Sequence, residues 1–180
     1  MTRLLLGTTL AAVALFFWGF LYWGAVPVPW TIIAQVPDEV ALQKSLGEAL
    51  PEPGAYYLPH HFASDTEVHA SRAEAGPIAT ILIHDGLGPN ATAGIFLGGF
   101  VHMWLSALLM GLLIRRFAPA SIGGAVAVAA TAGLAAAVWS NLGRPMWYSQ
   151  PWDYHLLFAV YDATGWIVAG AVLGWFVRER

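Results

Sequence analysis

The sequence predicts a membrane all-α fold: four transmembrane helices with a small α/β extracytoplasmic insertion between spans one and two. Three observations predict it. Hydrophobic residues make up 58% of the chain and charged residues only 11%, and the mean hydropathy is +0.61, far from soluble averages. The charges are also unevenly placed, with none between Arg3 and Asp38, between Asp85 and Arg115, or between Arg116 and Arg144. Finally, eight acids crowd into residues 26–91 against only Lys44 and Arg72.

The charge gaps place the spans at about 4–25, 92–114, 122–140 and 154–176, each near the ~20 residues that a ~30 Å hydrocarbon core requires. The apolar run after Arg3 is longer than a secretory h-region and has no A-x-A site before Pro27, so an uncleaved anchor over residues 1–25 is expected. Arg3, Arg115, Arg116, Arg178 and Arg180 fall on one side of such a bundle. The positive-inside rule then puts both termini in the cytoplasm, with residues 26–91 and 141–153 outside. Trp23, Trp30, Trp139, Trp147, Tyr148, Trp152 and Tyr154 cluster toward that outer boundary, where amphipathic rings are enriched.

Residues 26–91 read as an acidic cap. Pro37 and Asp38 open a helix carrying Leu42, Leu46, Ala49 and Leu50 at helical spacing, and Pro51 stops it. Residues 55–58 and 78–83 are strand candidates, and Ser64 with Glu67 three positions on is a capping-box signature for a second helix ending near Gly76. Two strands and two short helices bury little on their own, so the cap is expected to lean on the outer ends of the spans. Residues 92–180 form the three-helix remainder.

Trp18–Gly19 in an aromatic-rich first span, the PDEVALQKSL helix, and a Trp-rich loop leading into PWDYHLLFAVYDATGWIVAGAVLG together resemble a loose group of small four-helix bacterial inner-membrane proteins. The resemblance implies the topology and an inner-membrane location. It implies no activity.

Composition narrows the function classes. The absence of cysteine excludes disulfides, thiol redox chemistry and cysteine-ligated clusters, so a metal would need His and carboxylate ligands. Eight basic residues and a net charge of −3 leave no surface for neutralising nucleic-acid phosphates, which excludes nucleic-acid partners. His60, His61, His69 and His84 are candidate metal ligands, but their spacing matches no closed signature. Gly86-x-Gly88 lacks the third glycine of a dinucleotide fingerprint. His84–Asp85 has no nucleophile beside it.

Within the spans, Gly94, Gly98, His102 and Ser106 recur every four residues on the second, and His155, Ala159, Asp162, Gly165 and Ala169 recur at four, three, three and four on the fourth. Both sets read as small-residue packing faces, with Gly94, Gly98, Ser106, Ala159 and Gly165 as the contact positions. His102 lies ~15 Å below Thr92 and Asp162 ~12 Å below Tyr154, so the two form a candidate intramembrane polar pair at matched depth. Either they hydrogen-bond as interhelical glue or they serve a proton relay, quinone or ligand site. A haem or chlorophyll-type ligand at His102 would use the space beside Gly98. His155 is too shallow to supply the opposite axial position. Arg144 has two readings, a salt bridge with Asp153 as the default and an anionic headgroup as the alternative. The first span, with Phe16, Phe17, Trp18, Phe20, Tyr22 and Trp23, offers an aromatic face to lipid or to other membrane-protein subunits. With no catalytic constellation, the expectation is a non-catalytic accessory subunit or assembly factor of a larger membrane complex. The alternatives are a cofactor- or quinone-site protein built on His102 and Asp162, or a small oligomeric proton-coupled transporter.

Overall fold

The computed structural model describes residues 1–60, 65–84 and 92–177. Four helical stretches, Thr2–Ala25, Ala93–Phe117, Ile122–Tyr148 and Trp152–Val177, are each long and apolar enough to cross a membrane. The first is helix α1 (Thr2–Phe20), continued by a π-helical turn at Leu21–Ala25. A short α2 (Val28–Ile32) comes after it. The insertion then supplies α3 (Glu39–Ala49), β1 (Gly54–Leu58), α4 (Thr66–Ala75) and β2 (Ala79–Ile83). Helices α5 (Ala93–Phe117) and α6 (Ile122–Ala137) come next. A second π-turn (Val138–Leu142) and α7 (Gly143–Tyr148) extend α6, and α8 (Trp152–Val177) closes the chain.

Local chemistry sets the ends of these elements. Thr92 and Ser121 cap α5 and α6 by accepting the Ile95 and Gly124 amides at 3.3 and 3.0 Å, satisfying N–H groups that the helix leaves unpaired. Helix α5 stops at Ala118, which turns left-handed (φ 46°) and gives its N–H to the Ile114 carbonyl, and Pro119 bars continuation. Asp38 caps α3 through the Ala41 amide at 2.9 Å. In α4 the cap is Asp65, accepting from Val68 at 2.9 Å. Ser64, expected to cap this helix, lies outside the described residues.

Helix α8 packs most extensively on α6 and then on α1, and α1 in turn packs on α5, whereas α5 approaches α6 and α8 much less. The order α6–α8–α1–α5 therefore leaves the bundle poorly closed between its first and last members. Packing is tight in the half that carries Arg3, Arg115 and Arg116. There Ala11, Ala107, Met110, Ile114, Ala125, Ala129, Ala169 and Leu173 form one buried cluster. Small residues make this possible, because the facing Ala125, Ala129 and Gly170 let the α6 and α8 backbones approach closely.

The half nearer the insertion is looser. Every described residue from Thr92 to Gly98 is exposed, and the contact there is aromatic, with the Phe16 and Phe96 centroids 6.2 Å apart. Of the first-span aromatics, Phe17 and Phe20 face outward. Trp18, Tyr22 and Trp23 turn inward and pack with Phe158 and Tyr161 on α8, and the Tyr22 hydroxyl donates to the Leu157 carbonyl at 2.8 Å. The outward aromatic face is thus narrower than the sequence suggests.

β1 and β2 pair antiparallel, Gly54 opposite Ile83 and Leu58 opposite Ala79. An isolated two-stranded sheet is marginal, and this one rests on the bundle. Tyr57 stacks on Tyr148 with centroids 5.6 Å apart and planes 14° apart. Gln150 Nε2 donates to Thr80 Oγ1 at 2.9 Å, which leaves its Oε1 to meet Nε2 of the buried His155 at 2.6 Å. Helix α3 buries none of its residues.

Candidate functional site

His102 and Asp162 line the same cavity. Its walls come from three helices: Leu15 and Trp18 on α1, His102, Met103 and Ser106 on α5, and Tyr161, Asp162, Gly165 and Trp166 on α8. It lies where α5 parts from the others, above the tightly packed half of the bundle. Two glycines lie against its aromatic walls. At Gly19 a Cβ would lie 3.0 Å from the Tyr161 hydroxyl, so the missing side chain makes room for that ring, whereas at Gly165 one would meet Trp18 Cδ1 at 3.4 Å, ordinary packing distance. Trp18 Nε1 donates to the Tyr161 carbonyl at 3.3 Å, which fixes α1 against α8 beside the cavity.

No hydrogen bond joins His102 to Asp162 among the described residues. The carboxylate's partner is Asn141, whose Nδ2 donates to Asp162 Oδ2 at 2.9 Å and to Ser140 Oγ at 3.1 Å. Asn141 belongs to the π-turn that extends α6. A π-turn adds a residue to the helical repeat and rotates the residues beyond it, and such turns recur at functional positions. Here it carries the amide into the bundle, so α6 and α8 are joined by a polar bond beside the α5–α8 pair, which was expected to meet directly or through one water. The His102 ring is exposed at the cavity mouth. Ser106 donates its hydroxyl to the His102 main-chain carbonyl at 2.9 Å, the usual back-bond of a serine within a helix. That hydroxyl's one proton is therefore not given to the imidazole, as a nucleophilic Ser–His dyad would require.

The cavity holds about 100 Å³, roughly three waters at ~30 Å³ each. Small-molecule sites usually span ~300–1,000 Å³, so a quinone or a macrocycle would have to lie mostly outside it. The size suits a few waters between His102 and Asp162, or a side chain from another helix.

The remaining predicted site residues scatter. Among the described residues a Cβ on Gly98 would meet nothing within 4 Å, and one on Gly94 would meet the side chain of Thr92 at 3.9 Å, so neither packs on another described helix. Gly165 is buried and Ala159 half-buried. His155 lies in the Gln150 network, apart from His102. Among the described residues no three His, Asp or Glu side chains are grouped to hold a metal. His60 lies just after β1, His69 on α4 and His84 just after β2, while His61, Asp85, Gly86 and Gly88 lie outside the described residues. The Arg144–Asp153 salt bridge does not form. Asp153 Oδ1 accepts the Tyr154 amide at 2.8 Å, and among the described residues the one ion pair is Lys44–Glu48 at 3.9 Å.

Sequence reasoning missed Asn141. The available signal was an amide only a few residues from Arg144, which drew it into the outer-loop reading and away from the span.

These features define a protein with four apolar helices of membrane-crossing length, a small two-stranded sheet and, among the helices, a largely apolar cavity lined in part by His102 and Asp162. Comparison with known proteins found no matching family model, no matching curated protein and no matching solved structure.

Proposed function

We propose that the protein is a non-catalytic accessory subunit or assembly factor of a larger complex in the bacterial inner membrane, and that it docks through the insertion-proximal half of α5. The observation that carries this reading is the α5 face that no described residue covers, with nothing within 4 Å of a Cβ at Gly98 and His102 exposed beside it. A polar ring turned toward hydrocarbon is costly, and small residues are the surfaces on which membrane helices approach one another. A partner helix would cover both. The small cavity and the engagement of Ser106 with the backbone argue against the alternatives of a quinone site or a catalytic centre.

The orientation proposed has both termini in the cytoplasm and the insertion outside, supported by Arg3, Arg115 and Arg116 at one end of the bundle and the acidic insertion at the other. The chain has no cysteine, so single cysteines introduced at Glu48 and Ala120 report cleanly. The expected result is labelling of the first alone by an impermeant maleimide added to spheroplasts. Labelling of both from that side would overturn the orientation.

Docking is tested by native isolation with mass spectrometry, comparing wild type with Gly98→Leu. Among the described residues no atom lies within 4 Å of a Cβ at Gly98, so the variant should fold and lose its stoichiometric partners. Partners retained in full by Gly98→Leu, or a wild-type protein isolated alone from its native membrane, would overturn it.

A further inference from the structure

A second cavity, about 410 Å³, lies between β2, the α7 segment and the first turn of α8, and neither the docking face nor the His102 cavity uses it. One wall is polar: Arg144, Ser149, Gln150, Tyr154 and His155. The other includes Ile78 and Leu82, which are 48% and 76% exposed despite being large and apolar. The volume falls within the range of small-molecule sites.

The charge balance of this cavity is one-sided. Arg144 has no carboxylate partner among the described residues, because Asp153, its nearest acid in sequence, is turned to the Tyr154 amide. Gln150 and His155 are occupied with each other and with Thr80, and so form a fixed polar floor. The guanidinium is left as a planar fork of donors, a geometry that matches phosphate or carboxylate oxygens. Trp147 and Trp152, next in sequence to the lining residues Tyr148 and Pro151, are 80% and 48% exposed, as residues of a water–hydrocarbon boundary are. A cation, hydroxyls and an apolar wall in one cavity at such a boundary match an amphiphile with an anionic head.

We propose that this cavity binds the phosphate group of a net-anionic phospholipid, with Arg144 on the phosphate and Ile78 and Leu82 against the glycerol and upper acyl carbons. The inference rests on the membrane placement proposed above but not on docking, and its test is independent of any protein partner.

The purified full chain in a non-ionic detergent would be titrated with phosphatidylglycerol, with phosphatidylcholine of the same chain length, or with inorganic phosphate, and bound lipid counted by native mass spectrometry. Wild type should retain one phosphatidylglycerol at least tenfold more tightly than phosphatidylcholine, and millimolar inorganic phosphate should compete poorly. Arg144→Gln should lose at least tenfold in affinity with an unchanged unfolding midpoint, since the side chain is exposed and unpaired. Arg144→Lys should recover part of the loss, and Arg72→Gln, which removes a charge on α4, should bind as wild type. Leu82→Asp should weaken lipid retention while leaving Arg144 in place. Equal retention of the two lipids, retention unchanged in Arg144→Gln, or inorganic phosphate binding as tightly as lipid would each overturn the assignment.

Discussion

The contrast between Gly170 and Gly98 gives the sharpest test of the bundle. A Cβ at Gly170 would sit 2.7 Å from Ala129 Cβ, 3.1 Å from Val126 Cα and 3.4 Å from the Ala125 carbonyl oxygen. Two of these three neighbours are backbone, which cannot rotate away, so α6 and α8 must separate to admit even one methyl. Overpacking of that kind costs about 1–3 kcal/mol. Among the described residues Gly98→Ala meets no atom within 4 Å. Both substitutions share the helix-propensity gain of about 1 kcal/mol on replacing a helical glycine, so that contribution cancels between them. Gly170→Ala should therefore be about 1–3 kcal/mol less stable than Gly98→Ala, roughly a 5- to 150-fold difference in the folding equilibrium. Reversible unfolding by SDS in mixed micelles, monitored by circular dichroism, measures it. If Gly170→Ala unfolded at the same SDS fraction as Gly98→Ala, or a higher one, the close α6–α8 seam would be wrong.

Two further substitutions probe buried polar groups. Asn141→Leu removes the donor to Asp162 and should destabilise by about 1–2 kcal/mol in the same assay, whereas Asp162→Asn, which keeps an acceptor, should cost less than half as much; equal losses would discount the Asn141–Asp162 bond. Thr8 is fully buried and its hydroxyl has no hydrogen-bond partner among the described residues, so Thr8→Val, nearly the same shape without the unsatisfied oxygen, should raise stability by about 1 kcal/mol; a loss of that size would show that the hydroxyl is satisfied in the folded protein.

The long elements were legible because their causes are local. Charge gaps marked all four apolar helices to within a few residues at most ends, Pro51 stopped α3 one position after its Leu50 cap, and the two strand candidates pair as one antiparallel sheet across the intervening α4. The third helix was read as ending at 140, but it continues as a π-turn and α7 to Tyr148. A one-residue change in helical repeat leaves hydrophobicity untouched, so composition could not show it. The consequence fell on the site. The π-turn carries Asn141 to Asp162, and the depth argument that brought His102 and Asp162 to one cavity could not decide which side chain the carboxylate would bond.

The two small-residue stripes show where the remaining information lay. Both looked like packing faces, yet that of α8 is buried or half-buried from His155 to Ala169, while that of α5 passes from the half-buried Ser106 to the exposed Gly98 and Gly94. The difference is rotational. At 3.6 residues per turn each residue advances ~100°, so a step of four overshoots a full turn by ~40° and a step of three falls short by ~60°. The α8 spacing of four, three, three and four therefore drifts by only ~40° in total and stays on one face. Three successive steps of four on α5 drift the same way by ~120°, a third of the circumference. Ser106 lies beside the buried Ala107, and Gly94 has by then turned out of the bundle. A strict four-residue stripe in a single helix thus winds around it. On α5 it leads from the internal cavity, past His102, to the face where we propose the partner binds.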